Sequence, residues 1–174
     1  MKYLKHLTLF LVSSMLIGLN SCDNEEPIPK DETPYELSYG ELPAPVLPTD
    51  NPLTQQGVQL GKMLFYETML SKDGTQSCAS CHRQEDGFSD TAQFSIGVEN
   101  LPGGRQAMPI FNMAWHSNEF FWDGRAHLLR DQSLLPIQDP LEMNETLENV
   151  ITKLSNEQEY RDQFSRAFGS TEIT

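Results

Sequence analysis

Cys78 and Cys81 stand three residues apart, and His82 follows the second thiol directly. Two thiols at this spacing can each close a thioether on one vinyl group of a haem, and the adjacent imidazole can ligate its iron. This is the pattern of covalent c-type haem attachment. Iron held by one histidine leaves its sixth position to decide between electron transfer and chemistry on a bound oxygen species. Two other chemistries use Cys-x-x-Cys. A redox dithiol expects a βαβ context, which the neighbouring residues lack, and a zinc site needs a second ligand pair. Beyond His82 the chain offers only His116 and His127, with no further cysteine, so zinc is short of ligands. The spacing assigns one haem c to Cys78, Cys81 and His82.

The compartment agrees with that assignment. Residues 1–21 read as an export signal, with Lys2 and Lys5 at a basic start, an apolar run from Leu7 to Leu19, and small or polar residues before Cys22. The run is too short to span a bilayer. Leu19-Asn20-Ser21-Cys22 resembles a lipoprotein signal-peptidase box, which gives the third cysteine a role as the diacylated first residue of a periplasmic or envelope-anchored protein. Loss of Lys2 and Lys5 with the signal takes the net charge from −13 to about −15. Such a chain repels nucleic acid and can attract a basic protein.

The elements that must position the motif are helical. Residues 22–52 are acidic and hold seven of the eleven prolines, so they read as an extended tether rather than packed structure. Asn51-Pro52 then predicts a helix start, with Leu53, Leu60 and Leu64 on one face and an end near Tyr66. The haem motif forms a short helical turn, and residues 84–104 read as a loop. Phe111, Trp115, Phe120, Phe121 and Trp122 form an aromatic cluster of the kind that lines a haem edge. A short helix is predicted from Ala126 to Leu135, stopped by Pro136 and Pro140. Two more follow, one carrying Leu147, Val150, Ile151 and Leu154, the other entered through a Ser155/Gln158 capping box and stopped by Gly169. With no alternating strand pattern, residues 53–174 are expected to be one all-α, cytochrome c-like haem domain with long loops.

Several blocks together carry a resemblance. Leu60-Gly61-Lys62-Met63-Leu64-Phe65, Ser77 to His82, Phe121-Trp122-Asp123-Gly124-Arg125, Gln132, and Pro136 to Met143 resemble the bacterial dihaem cytochrome c peroxidases in type and order. The resemblance implies that His82 is the proximal ligand of the peroxide-reducing haem, that Gln132 and Glu142 lie on its distal side, and that Trp122 lies between two haems. It also implies hydrogen peroxide as substrate, a small cytochrome c or cupredoxin as electron donor, and a homodimer as a possible assembly. A carboxylate near the iron can move a proton from the inner to the outer peroxide oxygen, which suits Glu142. An amide can hold the peroxide, which suits Gln132.

The sequence departs from that family twice. Many relatives place a histidine after the Ser-Ile-Gly segment, where it caps the iron; here Ser95-Ile96-Gly97 is followed by Val98, which predicts an open sixth position. The family's second haem domain should begin where this chain stops at Thr174, and Thr171 to Thr174 read as the opening of a further helix, so a truncated piece is expected. Half the surroundings of the family's interdomain calcium site are then missing, and Gln106 stands where asparagine is commoner. Two rival readings are a monohaem electron carrier ligated by Met63, Met69, Met108, Met113 or Met143, and a relative of the dihaem proteins that oxidise tryptophans.

Overall fold

Thr54 opens the first helix. Its hydroxyl accepts the Gly57 N–H at 3.0 Å, so the computed structural model starts α1 at Gln55 (Gln55–Tyr66), three residues beyond the predicted Pro52. The structure describes residues 28–116 and 119–174; the signal segment and Cys22 lie outside them. Leu60 is the buried residue of α1, and burying such a leucine contributes about 2 kcal/mol. The haem motif is α2 (Cys78–Cys81), fastened where the Ser77 N–H donates to Ser80 Oγ at 3.0 Å.

Three longer elements complete the chain: α3 (Leu129–Gln138), α4 (Leu147–Ser155) and α5 (Gln158–Phe168). The core joins Leu60, Leu70, Ile137, Met143, Val150, Leu154, Tyr160 and Ala167, with α1 lying against α5 and α5 against α4. No strand forms among the described residues, only isolated bridges such as Arg83–Ser89 and Ile96–Pro102. No described helix is long and apolar enough to cross a membrane.

Four local expectations are corrected. Pro136 does not stop α3; it sits inside its last turn, and the helix runs to Gln138, because one missing N–H removes only the bond to the Gln132 carbonyl. The Ser155/Gln158 capping box is not used, since α5 is entered through Glu157 with no side-chain cap bond. Gly169 does end α5, in the left-handed conformation at φ 83°. Residues 171–174 form no helix, and Ile173 is buried in the core instead.

The fourth correction concerns the proline-rich segment. Residues 28–54 contain no helix, yet they are strapped along the domain rather than held off it. Ser165 Oγ donates to the Ile28 carbonyl (2.5 Å), Asp31 N–H to Arg166 O (2.9 Å), and Gln55 N–H to Thr33 O (2.9 Å). Further along, Trp115 Nε1 donates to Pro43 O (2.7 Å) and Arg130 forks onto Asp50. Proline removes donors but keeps its carbonyls, so an extended strap can still be bound through acceptors.

One largely buried ion pair joins α4 to the segments before it. Lys153 of α4 donates to Glu145 and also to the carbonyls of Met69 (3.2 Å) and Ser71 (2.7 Å), while Glu145 is only 8 % exposed. Burial pushes the Glu145 carboxyl up, but Lys153 and the N–H donors of Thr146 and Asn149 hold it below its ordinary value on balance. Replacing Lys153 by Ala strands a buried carboxylate and is expected to cost about 3 kcal/mol at neutral pH, measured by chemical denaturation. Because the folded carboxyl is shifted down, its contribution is present above pH 4.5 and fades as the pH falls through the lowered value. A loss below about 1 kcal/mol would remove the pair from the stability account.

Candidate active site

His82 caps α2 and begins a tight loop in which Arg83 N–H donates to Ser89 O (3.0 Å) and Phe88 N–H to Arg83 O (2.8 Å). Gly87 and Phe88 both take positive φ, at 69° and 57°, which folds the Phe88 carbonyl back toward the imidazole. That carbonyl lies 3.2 Å from His82 Nδ1. A carbonyl only accepts, so this contact suits the tautomer with its hydrogen on Nδ1, which leaves the Nε2 lone pair for a metal; the Met108 backbone also lies within hydrogen-bonding reach of the ring. Burial lowers the His82 pKa, which also favours the neutral, ligating imidazole.

Burial pushes the Cys78 and Cys81 thiols up, and both are free. A redox dithiol needs the opposite shift. Among the described residues no three His, Cys, Asp or Glu side chains converge into a metal cluster. The motif and its setting fit covalent haem: two protonated thiols on one helical turn, and beside them an imidazole whose contact with the Phe88 carbonyl suits ligation through Nε2.

A cavity of about 340 Å³ opens at this motif, lined by Cys81 and His82 and, from α3 and the turn after it, by Gln132, Pro136, Asp139 and Glu142. Five of the residues singled out in the sequence thus meet on it: Cys81, His82, Gln132, Glu142 and Trp122. Cys78 is not part of the lining. Glu142 sits in the turn 139–145, ahead of α4, which begins at Leu147 with Glu148 in its first turn. Burial, then the charge of Asp139, raises its pKa, and Arg125 works against the shift. Its own charge is felt at both motif thiols.

The aromatic cluster is less packed than expected. Phe120 is buried, but Trp122 is 59 % exposed at the cavity rim, with Nε1 donating to Gln106 O at 3.0 Å. Around it Asp123 receives Arg105 and Arg125 (both 2.9 Å), and the Arg125 guanidinium lies 3.6 Å over the Phe121 ring. Sequence reasoning missed Arg105 among the cavity residues, while the Ser95-Ile96-Gly97 segment it named does line the cavity. A paired arginine in a loop carries no periodic signal.

The domain is helical, and its Cys-x-x-Cys-His turn, with an amide and a raised carboxyl on the same cavity, fits a covalently attached haem. Residues 55–174 match the sequence profile of the family described as Di-haem cytochrome c peroxidase. The chain belongs to this family. It is 42 % identical over 125 residues to the methylamine utilization protein MauG of Methylorubrum extorquens, covering 72 % of this chain and 35 % of the relative. It is 40 % identical over 116 residues to the cytochrome c551 peroxidase of Nitrosomonas europaea, covering 67 % and 34 %. A crystal structure of a MauG-like protein associated with microbial copper homeostasis superposes with a TM-score of 0.70 at 33 % identity, over 78 % of this chain and 40 % of that one. The chain thus spans less than half of the length of the relatives it matches.

Proposed function

We propose that this chain is the peroxide-reducing haem domain of a cytochrome c peroxidase, exported to the cell envelope and anchored there through a lipid on Cys22. The observation that carries the reading is the meeting of His82, Gln132 and Glu142 on one cavity. Cys78 and Cys81 would hold the haem by thioethers, each S–H adding across a vinyl group, and His82 Nε2 would ligate the iron. When bound, the haem supplies the redox centre; the remaining work falls to the side chains.

Gln132 offers an amide N–H to hydrogen peroxide and holds it over the cavity floor. Glu142 takes the proton from the inner oxygen and returns it to the outer one, which leaves as water. Its raised pKa suits a group that must both accept and give a proton. Trp122, exposed at the rim, offers a route for electrons from outside. Two electrons and two protons reduce one peroxide to two waters, with a small cytochrome c or cupredoxin as the donor. The acidic chain favours a basic donor. A second haem, calcium and a homodimer are carried by the family resemblance alone.

Val98 contributes a branched alkyl group where an iron-capping histidine is expected in many relatives, so the resting ferric protein is expected to bind cyanide without prior reduction. The haem-loaded protein should consume hydrogen peroxide with a reduced small-molecule donor, followed by loss of peroxide absorbance. A low-spin, bis-histidine or histidine–methionine spectrum with no cyanide binding would leave an electron carrier. The similarity to methylamine utilization proteins favours a second reading, in which the same open haem oxidises tryptophan side chains of a protein. Peroxide consumption that needs a protein substrate and ignores small donors would select it.

A further inference from the structure

The segment 95–103 is a closed hairpin. Gly103 N–H donates to Ser95 O (2.9 Å), Gly97 N–H to Leu101 O (3.0 Å), and Asn100 N–H to Gly97 O (2.9 Å). It is fastened at one side to the stretch that leads into the haem motif, where Gln76 Nε2 donates to Ile96 O at 2.7 Å. At the other side it grips the turn that carries Glu142. Val98 N–H donates to the Glu142 carbonyl itself (2.9 Å), and Glu99 Oε1 accepts from Asn144 Nδ2 (3.0 Å) and Lys72 Nζ (2.5 Å). Lys72 N–H in turn donates to Met143 O (3.0 Å). Three of these four bonds end on Glu142, Met143 or Asn144, and the fourth ties Glu99 to Lys72.

Gly97 is the point of closest approach. A methyl group there would overlap the Leu141 carbonyl oxygen and stand 2.8 Å from that of Glu142, and both obstacles are backbone. The backbone conformation of Gly97 is not the left-handed one, so close approach, not dihedral freedom, is what demands glycine here. Backbone obstacles cannot rotate aside as a side chain can, so the turn must shift to admit any Cβ.

We infer that the hairpin 95–103 is a fixed spacer that sets Glu142 at its distance from the Cys78–His82 segment, with Gly97 as the positioning residue. The inference deepens the proposed function and rests on its reading of Glu142 as the proton carrier. Gly97 touches no substrate; it acts through Glu142. A misplacement of about 1 Å at a reacting group can cost on the order of a hundredfold in rate, so a tenfold or larger loss is expected for a one-carbon intrusion.

The test is a double-mutant cycle on the haem-loaded protein. Gly97→Ala is expected to lower the rate constant with peroxide by about tenfold or more, and Glu142→Gln by about a hundredfold. In the Glu142→Gln background, Gly97→Ala should change the rate by less than about twofold, since its effect has no carrier left. Amide hydrogen exchange supplies a readout independent of turnover, with Val98 expected to exchange about tenfold faster in Gly97→Ala as its bond to Glu142 loosens. Gly61→Ala, on the exposed side of α1 with open space around it, serves as the unaffected control. Losses that multiply fully in the double variant overturn the spacer, as does unchanged exchange at Val98. An undiminished rate in Glu142→Gln sinks the proton-carrier reading and the functional half of the inference, while exchange at Val98 still decides the clamp. If Gly97→Ala does not fold or load haem, Glu99→Ala, which cuts the exposed leg of the clamp, decides by the same two readouts with an expected loss of about threefold to tenfold.

Discussion

Replacing Cys78 and Cys81 together by alanine is expected to abolish haem staining of the denatured protein completely, while helical circular dichroism is retained. Covalent attachment needs a sulfur at each vinyl group, and no other cysteine lies among the described residues. The fold should survive, because the core of Leu60, Leu70, Met143, Val150, Leu154 and Tyr160 includes neither thiol. Haem held only by His82 Nε2 would dissociate on denaturation. Single variants should keep one thioether, stain weakly, and show the shifted reduced spectrum of a haem with one free vinyl group. The experiment also separates the two chemistries of Cys-x-x-Cys. If the pair were a redox dithiol, the double variant would lose a titratable disulfide and keep whatever haem the wild type carried. Stain persisting in the double variant would refute covalent attachment at these residues.

Local structure was legible in the sequence where one element decides it. The period of Leu60 and Leu64, the spacing of Cys78, Cys81 and His82, and the glycine stop at 169 each depend on a few neighbours, and the structure has them where the pattern places them. What failed depends on partners far along the chain. On α5 the apolar stripe of Tyr160, Phe164 and Phe168 reads as the buried face, yet Phe168 is 55 % exposed and the polar Gln163 and Ser165 are buried. Gln163 is paid for by the Gln56 carbonyl and Ser165 by Ile28, residues more than a hundred positions away. Satisfied polar groups can be buried, and hydrophobic pattern alone does not see the acceptors.

The strap and the site show the same division. Six prolines correctly exclude a helix from residues 28–52, but composition is silent on the carbonyls that bind the segment to α1, α5 and Trp115. At the cavity, the residue types of Gln132 and Glu142 were readable only through a family resemblance. Taken alone, Glu142 reads as a helix-capping acid. The turn bonds from Asp139 and the hairpin bond from Val98 take it away from the helix end and onto the cavity, which no local pattern encodes. Gly97 is the sharpest case, since its requirement comes from two carbonyls 44 and 45 positions further on.

Glu142→Gln should leave haem incorporation and folding unchanged and lower the rate constant with hydrogen peroxide by about two orders of magnitude, as loss of a positioned proton carrier does. Glutamine keeps the shape and hydrogen-bonding capacity of the side chain but cannot accept a proton, so the loss reports on proton transfer and not on packing. The pH dependence supplies a second, signed check. Burial, then the charge of Asp139, raises the Glu142 pKa above 4.5, and a base works only when ionised. The wild-type rate should therefore fall as pH drops, with a midpoint above 4.5, and that acid limb should vanish in Glu142→Gln. The same shift acts on stability in the opposite sense: a carboxyl whose folded pKa is raised favours the fold most below its unfolded value, and that contribution is lost as pH rises through the folded one. Activity and the Glu142 contribution to stability should thus move in opposite directions across this window, and both should be missing from the difference profiles of Glu142→Gln. Asp139→Asn tests the cause of the shift, because removing the neighbouring charge should move the acid limb to lower pH without abolishing it. Rate profiles of wild type and Glu142→Gln that run parallel from pH 4 to pH 8 would take the proton from this carboxylate, and leave the cavity with an amide and an iron ligand but no base.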